Sequence, residues 1–174
     1  VNPVTGSQSE IVAGQDENTF QEIDEKEVLE VITDSAKFNV FLCIDEALAG
    51  NGQRTMKMLR KFQQEGQAPI SILVNITREI QYCTKIAVAV SRGQPAINGL
   101  QGVFLWENKK RMLVQASSRL PLAIWHKLII SCSQMDKMIK GQASGDIWFE
   151  LESCLWILSG RNIWKAARLN QKAG

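Results

Sequence analysis

The stretch IDEALAGNGQRTMKMLRKFQQEGQAP, residues 44–69, joins two segments of helical character through a pair of glycines. Gly50 is placed to end the first helix, because glycine readily adopts the left-handed conformation found just past helix C termini. The second helix begins at Asn51 or Gly52 and stops at Gly66, and its apolar stripe consists of Met58, Leu59 and Phe62. The stretch therefore predicts a tight helical hairpin whose basic side chains lie off that stripe, namely Arg54, Lys57, Arg60 and Lys61.

Apolar residues recur at helical spacing through the rest of the chain. After Pro69 they follow steps of three and four residues, at Leu73, Ile76, Ile80, Cys83, Ala87 and Val90. This seam fits a core helix of an antiparallel bundle or one helix of a coiled-coil dimer, and the bundle is favoured because further isoleucines widen the stripe. Three more helices are predicted, one ending at Leu120, one opened by Pro121 and one opened by Asp146. Since no alternating strand pattern is present, the predicted fold class is all-α, a bundle of about six to seven helices.

The two ends of the chain differ from this helical body. Residues 1–22 contain few large apolar side chains, which predicts a disordered segment or the remnant of a tag or of a preceding domain. Residues 23–37 are predicted to hold a short acidic helix with Val28, Leu29 and Ile32 on one face. The helical body is expected to span residues 38–160, and residues 161–174 are expected to form a basic C-terminal tail.

Charge is distributed unevenly along the chain. Residues 1–34 contain nine acidic side chains and one basic side chain, whereas residues 35–174 contain nine acidic and nineteen basic ones. The small net charge of +2 is therefore the sum of an acidic N-terminal segment, residues 1–34, and a strongly basic remainder, residues 35–174. Such a basic region can face nucleic acid or an acidic partner, or its lysines and arginines can simply keep the helices in solvent.

The sequence contains no recognisable catalytic or metal-binding constellation. Its four cysteines are far apart and lie among apolar residues, which predicts buried, reduced thiols of a cytoplasmic protein rather than a zinc site. The single histidine, His126, lies off the apolar stripe of its helix and has no evident acidic partner. The phrase AGNGQRT, residues 49–55, lacks the lysine that a P-loop needs. No enzymatic activity, cofactor or metal is therefore predicted, and no apolar run is long enough to span a bilayer.

Three phrases, taken in their order along the chain, resemble the C-terminal collar domain of the delta subunit of the bacterial DNA polymerase III clamp loader. They are DSAKFNVFLCIDEALAGNGQRTMKMLRKFQQEGQAPISILVNITREI (34–80), LWENKKRML (105–113) and IWFELESCLWIL (147–158). The resemblance extends over residues 24–160. It implies that residues 38–160 are a helical collar through which clamp-loader subunits associate in a ring, and that residues 23–37 are the end of the preceding lid domain.

The resemblance also implies partners. These are other clamp-loader subunits of the gamma/tau and delta-prime type, with contact to primed DNA in the complete complex and no membrane partner. The family's ATPase-like N-terminal domain, which carries the element that binds the sliding clamp, has no counterpart in these residues. The candidate partner-binding residues are rim charges and aromatic anchors: Arg60, Lys61, Trp106, Lys109, Lys110, Arg111 and Trp148. The alternative is a helical nucleic-acid-binding module that uses the basic surface.

Overall fold

A computed structural model describes Ser35 and residues 39–161 of the chain. The expectations for residues 1–22, for residues 23–37 apart from Ser35, and for the tail beyond Arg161 lie outside the described residues. Six α-helices occupy the described part: α1 (39–49), α2 (Gly52–Gln64), α3 (Pro69–Ser91), α4 (Glu107–Ser117), α5 (Leu122–Ile139) and α6 (Ile147–Leu158). A 3-10 helix, Ala96–Leu100, lies between α3 and α4. No strand is present among these residues, which confirms the all-α prediction.

The hairpin of α1 and α2 forms as the sequence predicts. Gly50 has φ +92°, and its amide donates a 3.0 Å hydrogen bond to the carbonyl of Ala47, which closes the last turn of α1. The amide of Asn51 donates to the carbonyl of Glu46 at 2.8 Å. On the buried side of α2 lies Met56 in place of the predicted Met58, which is only partly buried. The hairpin therefore has its predicted turn, with the buried face of α2 rotated slightly.

Helix α3 is the centre of the bundle. It packs against α4, α5, α6 and the 3-10 helix, while α6 also packs against α2 and α5. The core contains large, fully buried side chains from several helices, including Ile72, Ile76, Ile80, Ile86, Leu128, Leu151 and Leu155. Burial of this apolar surface provides the main driving force for the fold. Within the described residues, no helix combines the length and the apolar character that crossing a membrane requires.

The predicted core seam of α3 is wrong at its C-terminal end. Val90 is 54% exposed and Ala87 is only partly buried, whereas Ile86 and Ala89 are buried. A straight α-helix has 3.6 residues per turn, so a strict heptad pattern drifts by ~20° per heptad around its axis. Across the two heptads from Ile76 to Val90 that drift reaches ~40°, which moves Val90 out of the core and brings its neighbours in.

The 3-10 helix lies unusually close to α3. A Cβ atom built on Gly99 would lie 2.5 Å from the Cα atom of Ile86 and 2.7 Å from the carbonyl carbon of Lys85. Only glycine fits there, since both obstacles are backbone atoms. This contact fixes where the following loop, residues 101–106, leaves the body of the bundle.

All four cysteines are buried and free, as the sequence predicts. Burial, together with the nearby carboxylates of Glu46 and Glu79, raises the pKa of Cys43 and of Cys83 to about 12. Both residues are therefore uncharged thiols at neutral pH, and a buried thiol is a weak nucleophile.

Iodoacetamide at pH 8 is expected to modify Cys43 and Cys83 very slowly in the native protein. In guanidinium chloride both should react at the rate of a free cysteine, because unfolding restores access and an ordinary pKa. Mass spectrometry of proteolytic peptides measures the modified fraction at each cysteine with time. Equal rates for native and unfolded protein would contradict the described burial.

Candidate binding surfaces

The most exposed apolar groups of the described residues form an aromatic pair before α4. Phe104 is 91% exposed and Trp106 is 79% exposed, and their ring centroids are 6.3 Å apart in an edge-to-face arrangement. Leu105 lies between them and packs against the core. Aromatic side chains of this kind concentrate binding energy at protein interfaces. We call Phe104 and Trp106 the aromatic pair.

Local backbone geometry explains why both rings point outward. A turn with Gly102 at φ +76° leads out of the 3-10 helix, and Trp106 has an extended backbone at the N-cap position of α4. In an extended segment successive side chains point to opposite sides. Anchoring Leu105 in the core therefore turns both of its neighbours to solvent. Trp106 was predicted from the sequence as a partner-binding residue and Phe104 was not, although the alternation in Phe104-Leu105-Trp106 was a signal that could have identified it.

The three predicted cations after Trp106 have different surroundings. The ammonium of Lys110 lies 2.8 Å from Glu107 Oε1, and Arg111 donates a hydrogen bond to the side chain of Asn108. The Glu107–Lys110 contact also lowers the pKa of Glu107. These contacts join residues three apart on one helix surface and cost little to break. Lys110 and Arg111 thus remain available to a partner.

Lys109 has a different environment from its neighbours. Its side chain is 20% exposed, and its Nζ atom lies 2.5 Å from Asp45 Oδ1 of α1 and 3.1 Å from Glu79 Oε2 of α3. The Glu79 side chain is 5% exposed and has a second cation, Arg78, at 3.6 Å. Lys109 of α4 therefore joins α1 and α3 to its own helix through its charge, and the partner-binding role expected for it from the sequence stays a prediction.

The remaining predicted residues lie on α2 and α6, away from the aromatic pair. Arg60 and Lys61 are exposed, with carboxylates at 4.0 Å (Glu152) and 3.6 Å (Glu65). Trp148 is partly buried and packs against the core. Arg60 reaches α6 one turn beyond Trp148, so these two residues belong to one region of the surface, while Trp106, Lys110 and Arg111 belong to another.

A groove that was not predicted from the sequence lies between α3 and α5. It has a volume of about 550 Å³, and side chains from the two helices line it, among them Ile70, Val74, Thr77, Arg78, Ile129 and Ser133. Val74 and Ile70 are 58% and 39% exposed. The guanidinium carbon of Arg78 lies 5.6 Å from the centre of the Phe41 ring, which brings α1 to the edge of this groove. The sequence-based prediction for α3 covered only its buried seam, so the side of α3 that lines this groove was not considered.

A polar cavity of about 630 Å³ adjoins the hairpin turn. Arg54, Lys57 and Arg161 line it, but Arg54 is paired with Glu46 at 3.0 Å and Arg161 stacks on Trp156 at 4.9 Å. His126 is exposed, as predicted. Over residues 39–161 no group of three or more metal-ligating side chains converges. The most prominent features of the described surface are thus exposed apolar and basic groups.

Comparison with known proteins identifies the family of the chain. A family model described as the processivity clamp loader gamma complex DNA pol III C-term matches residues 40–165. DNA polymerase III subunit delta of Escherichia coli (strain K12) is 24% identical over 135 residues, which cover 75% of this chain and 38% of that protein. DNA polymerase III subunit delta of Haemophilus influenzae is 23% identical over 132 residues, 71% of this chain and 38% of its own length.

The family match includes α1 from residue 40 onward, the other five helices, the aromatic pair and the groove between α3 and α5. The chain spans about two fifths of the length of these relatives. Because the family model covers well over half of the chain and both relatives carry the same name, the chain belongs to the family of C-terminal domains of the DNA polymerase III delta subunit, a component of the processivity clamp loader.

Proposed function

We propose that residues 38–160 form the assembly domain, or collar, of a delta-type clamp-loader subunit and thereby support loading of the sliding clamp in DNA replication. The partners are other clamp-loader subunits of the gamma/tau and delta-prime type. The family match over residues 40–165 carries this proposal. The exposed aromatic pair beside Lys110 and Arg111 supports it, because an apolar anchor with a charged rim is a common arrangement at protein interfaces.

The proposed role is binding and not catalysis. We assign no cofactor to the domain, and we assign contact with the sliding clamp to other parts of a delta subunit. An ATP hydrolysis assay that detects turnover by this chain alone would contradict the assignment.

Direct titration tests the proposed function. The chain is mixed with the gamma/tau-type and delta-prime-type subunits of the same bacterium and, separately, with primed DNA, each at a low and a high salt concentration. We expect the subunits to bind at both concentrations, because burial of apolar surface is little affected by moderate salt. Binding to DNA alone, with an affinity that falls steeply as salt increases, would instead support the nucleic-acid-binding alternative.

Truncation of the aromatic pair is expected to weaken subunit binding. Replacing Trp106 with alanine should raise the Kd about tenfold, because an aromatic side chain at an interface commonly contributes about 1–2 kcal/mol. The double replacement of Phe104 and Trp106 should raise the Kd further. The matched control is Phe149→Ala, which removes another aromatic ring that is 65% exposed but lies on α6. Isothermal titration calorimetry provides the Kd values. An unchanged Kd for the double variant would remove the aromatic pair from the interface.

A further inference from the structure

The outward side of α3 carries a second heptad pattern, separate from its buried seam. The positions follow steps of four and three residues: Ile70, Val74, Thr77, Gln81, Thr84 and Val88. None of them is buried, and we call this set the outer stripe of α3. The hydroxyl groups of Thr77 and Thr84 donate to backbone carbonyls of their own helix at 2.7 Å, so they need no outside hydrogen-bond partner.

Grooves accompany the outer stripe along its length. The groove against α5 follows its N-terminal half, and a second groove of about 300 Å³ follows its C-terminal half, where Lys85, Val88, Arg92 and Asn98 line it. Helix α3 has 23 residues, which corresponds to a length of ~34 Å at 1.5 Å per residue. The outer stripe and its grooves thus provide a track long enough for a partner helix of three heptads.

Three cations border the outer stripe at intervals of seven residues: Arg78, Lys85 and Arg92. Each is exposed, and Lys85 and Arg92 have no ion pair within the described part of the chain. Arg78 lies 3.6 Å from Glu79, but that carboxylate is buried and is also in contact with Lys109. Among the residues that line the two grooves, Asp136 of α5 is the acidic one, and it is paired with Lys140 at 2.6 Å. The track therefore presents positive charge at heptad spacing.

We propose that the outer stripe of α3 is the docking track for an amphipathic helix of a neighbouring clamp-loader subunit, with apolar residues at heptad spacing and a carboxylate at every seventh residue. This inference rests on the proposed assembly function and specifies the chemistry of one partner. In two helices that pack at a small angle, apolar stripes meet in the seam and flanking charges pair across it. The spacing of the three cations matches three carboxylates at every seventh residue of such a helix. The same cations would repel a partner helix with basic residues at those positions.

A designed peptide tests the track without any natural subunit. The probe is a helical peptide of three heptads with leucine in the seam and glutamate at every seventh flanking position, and the control peptide has lysine at the flanking positions. We expect the full chain to bind the acidic peptide at least about tenfold more tightly than the basic one, because like charges across an interface are strongly unfavourable. Fluorescence anisotropy of labelled peptides provides both Kd values. Equal affinities, or no binding of the acidic peptide, would overturn the proposal.

Charge reversal on the chain provides the second half of the test. The triple variant Arg78→Glu, Lys85→Glu and Arg92→Glu should lose the preference for the acidic peptide and bind the natural subunits about tenfold more weakly or worse. The matched control, Lys57→Glu with Lys127→Glu and Lys137→Glu, makes the same change in net charge at exposed lysines outside the track and should bind like wild type. Circular dichroism shows whether each variant is folded. If the triple variant is unfolded, the single variant Val74→Glu, which places a charge in the outer stripe, is used in its place and should also weaken binding of the acidic peptide.

The outcomes separate this inference from the proposed function. If the natural subunits bind the triple variant and wild type equally, the track assignment fails while the assembly function stands. If the subunits bind neither protein but the acidic peptide still distinguishes them, the assembly function fails, and the charge preference of the track stands without a clamp-loader subunit as its occupant. A synthetic peptide of residues 23–34, which is acidic itself, serves as a competitor. If it binds as tightly as the designed peptide, the occupant is this chain's own acidic segment, and the assignment to a neighbouring subunit is overturned.

Discussion

Replacing Lys109 with methionine should lower the free energy of unfolding by about 3 kcal/mol, because it leaves a buried carboxylate without its main cation. The Glu79 side chain is 5% exposed, and Lys109 at 3.1 Å is its closest cation. Methionine preserves most of the packing of the lysine stem, so the measured loss reports mainly on charge. Urea unfolding at pH 7, followed by circular dichroism, measures the change.

Two controls distinguish this structural role from partner binding by Lys109. Lys110→Met removes the neighbouring cation, whose pair with Glu107 lies at the surface, and should change stability by less than about 0.5 kcal/mol. The double variant Glu79→Gln with Lys109→Met should recover part of the loss, since the buried charge is then gone. If Lys109→Met is as stable as wild type but binds the natural subunits weakly, Lys109 acts at the interface and its internal contacts are unimportant.

Replacing Trp125 with alanine should destabilise the protein by about 4 kcal/mol, the largest effect we expect for a single replacement. Trp125 is fully buried where α5 begins, and its indole N–H lies 3.1 Å from the carbonyls of Ser117 and Leu120. Alanine would leave a large cavity and would remove the donor for the carbonyl of Ser117, the last residue of α4, and for that of Leu120 in the turn before α5. Thermal and urea unfolding both measure this loss.

An exposed tryptophan, Trp106, provides the matched control for the buried Trp125. Trp106→Ala removes an identical side chain that is 79% exposed, and it should change stability by less than about 0.5 kcal/mol. Trp125→Phe keeps much of the volume and loses the hydrogen bonds, so it should fall between the two alanine variants. If the two alanine variants are equally stable, the described burial of Trp125 is wrong.

The helices and their ends could be predicted largely from local sequence. Asp146 caps α6 through hydrogen bonds from the amides of Trp148 and Phe149, at 2.9 and 3.3 Å, and Gly50 ends α1 in the left-handed conformation. Both effects operate within one helical turn, so the residues involved are adjacent in sequence. The 3-10 helix was not predicted, because its position depends on the close approach of Gly99 to α3 and not on any local pattern.

The candidate surfaces were only partly predictable. Trp106 precedes a helix and is exposed, as expected, and Arg111 is exposed as well. Lys110 is partly exposed, and its ion pair is with Glu107 of its own helix. The prediction grouped Lys109 with them because the three are consecutive, but consecutive helix residues point in directions about 100° apart. Which of the three turns inward depends on where α1 and α3 place Asp45 and Glu79.

The sequence by itself determined the all-α class, the helix ends and the family. Helical periodicity, capping residues and the order of short phrases along the chain are all properties of the linear sequence. Only the tertiary structure decided which residues are buried at the C-terminal end of α3, that Lys109 joins three helices, and that grooves border the outer stripe with its three cations. The physical reason is that a helix shows the same pattern of residues whichever neighbours cover it. Burial and ion pairing are decided by helices far apart in sequence, which meet only when the bundle forms.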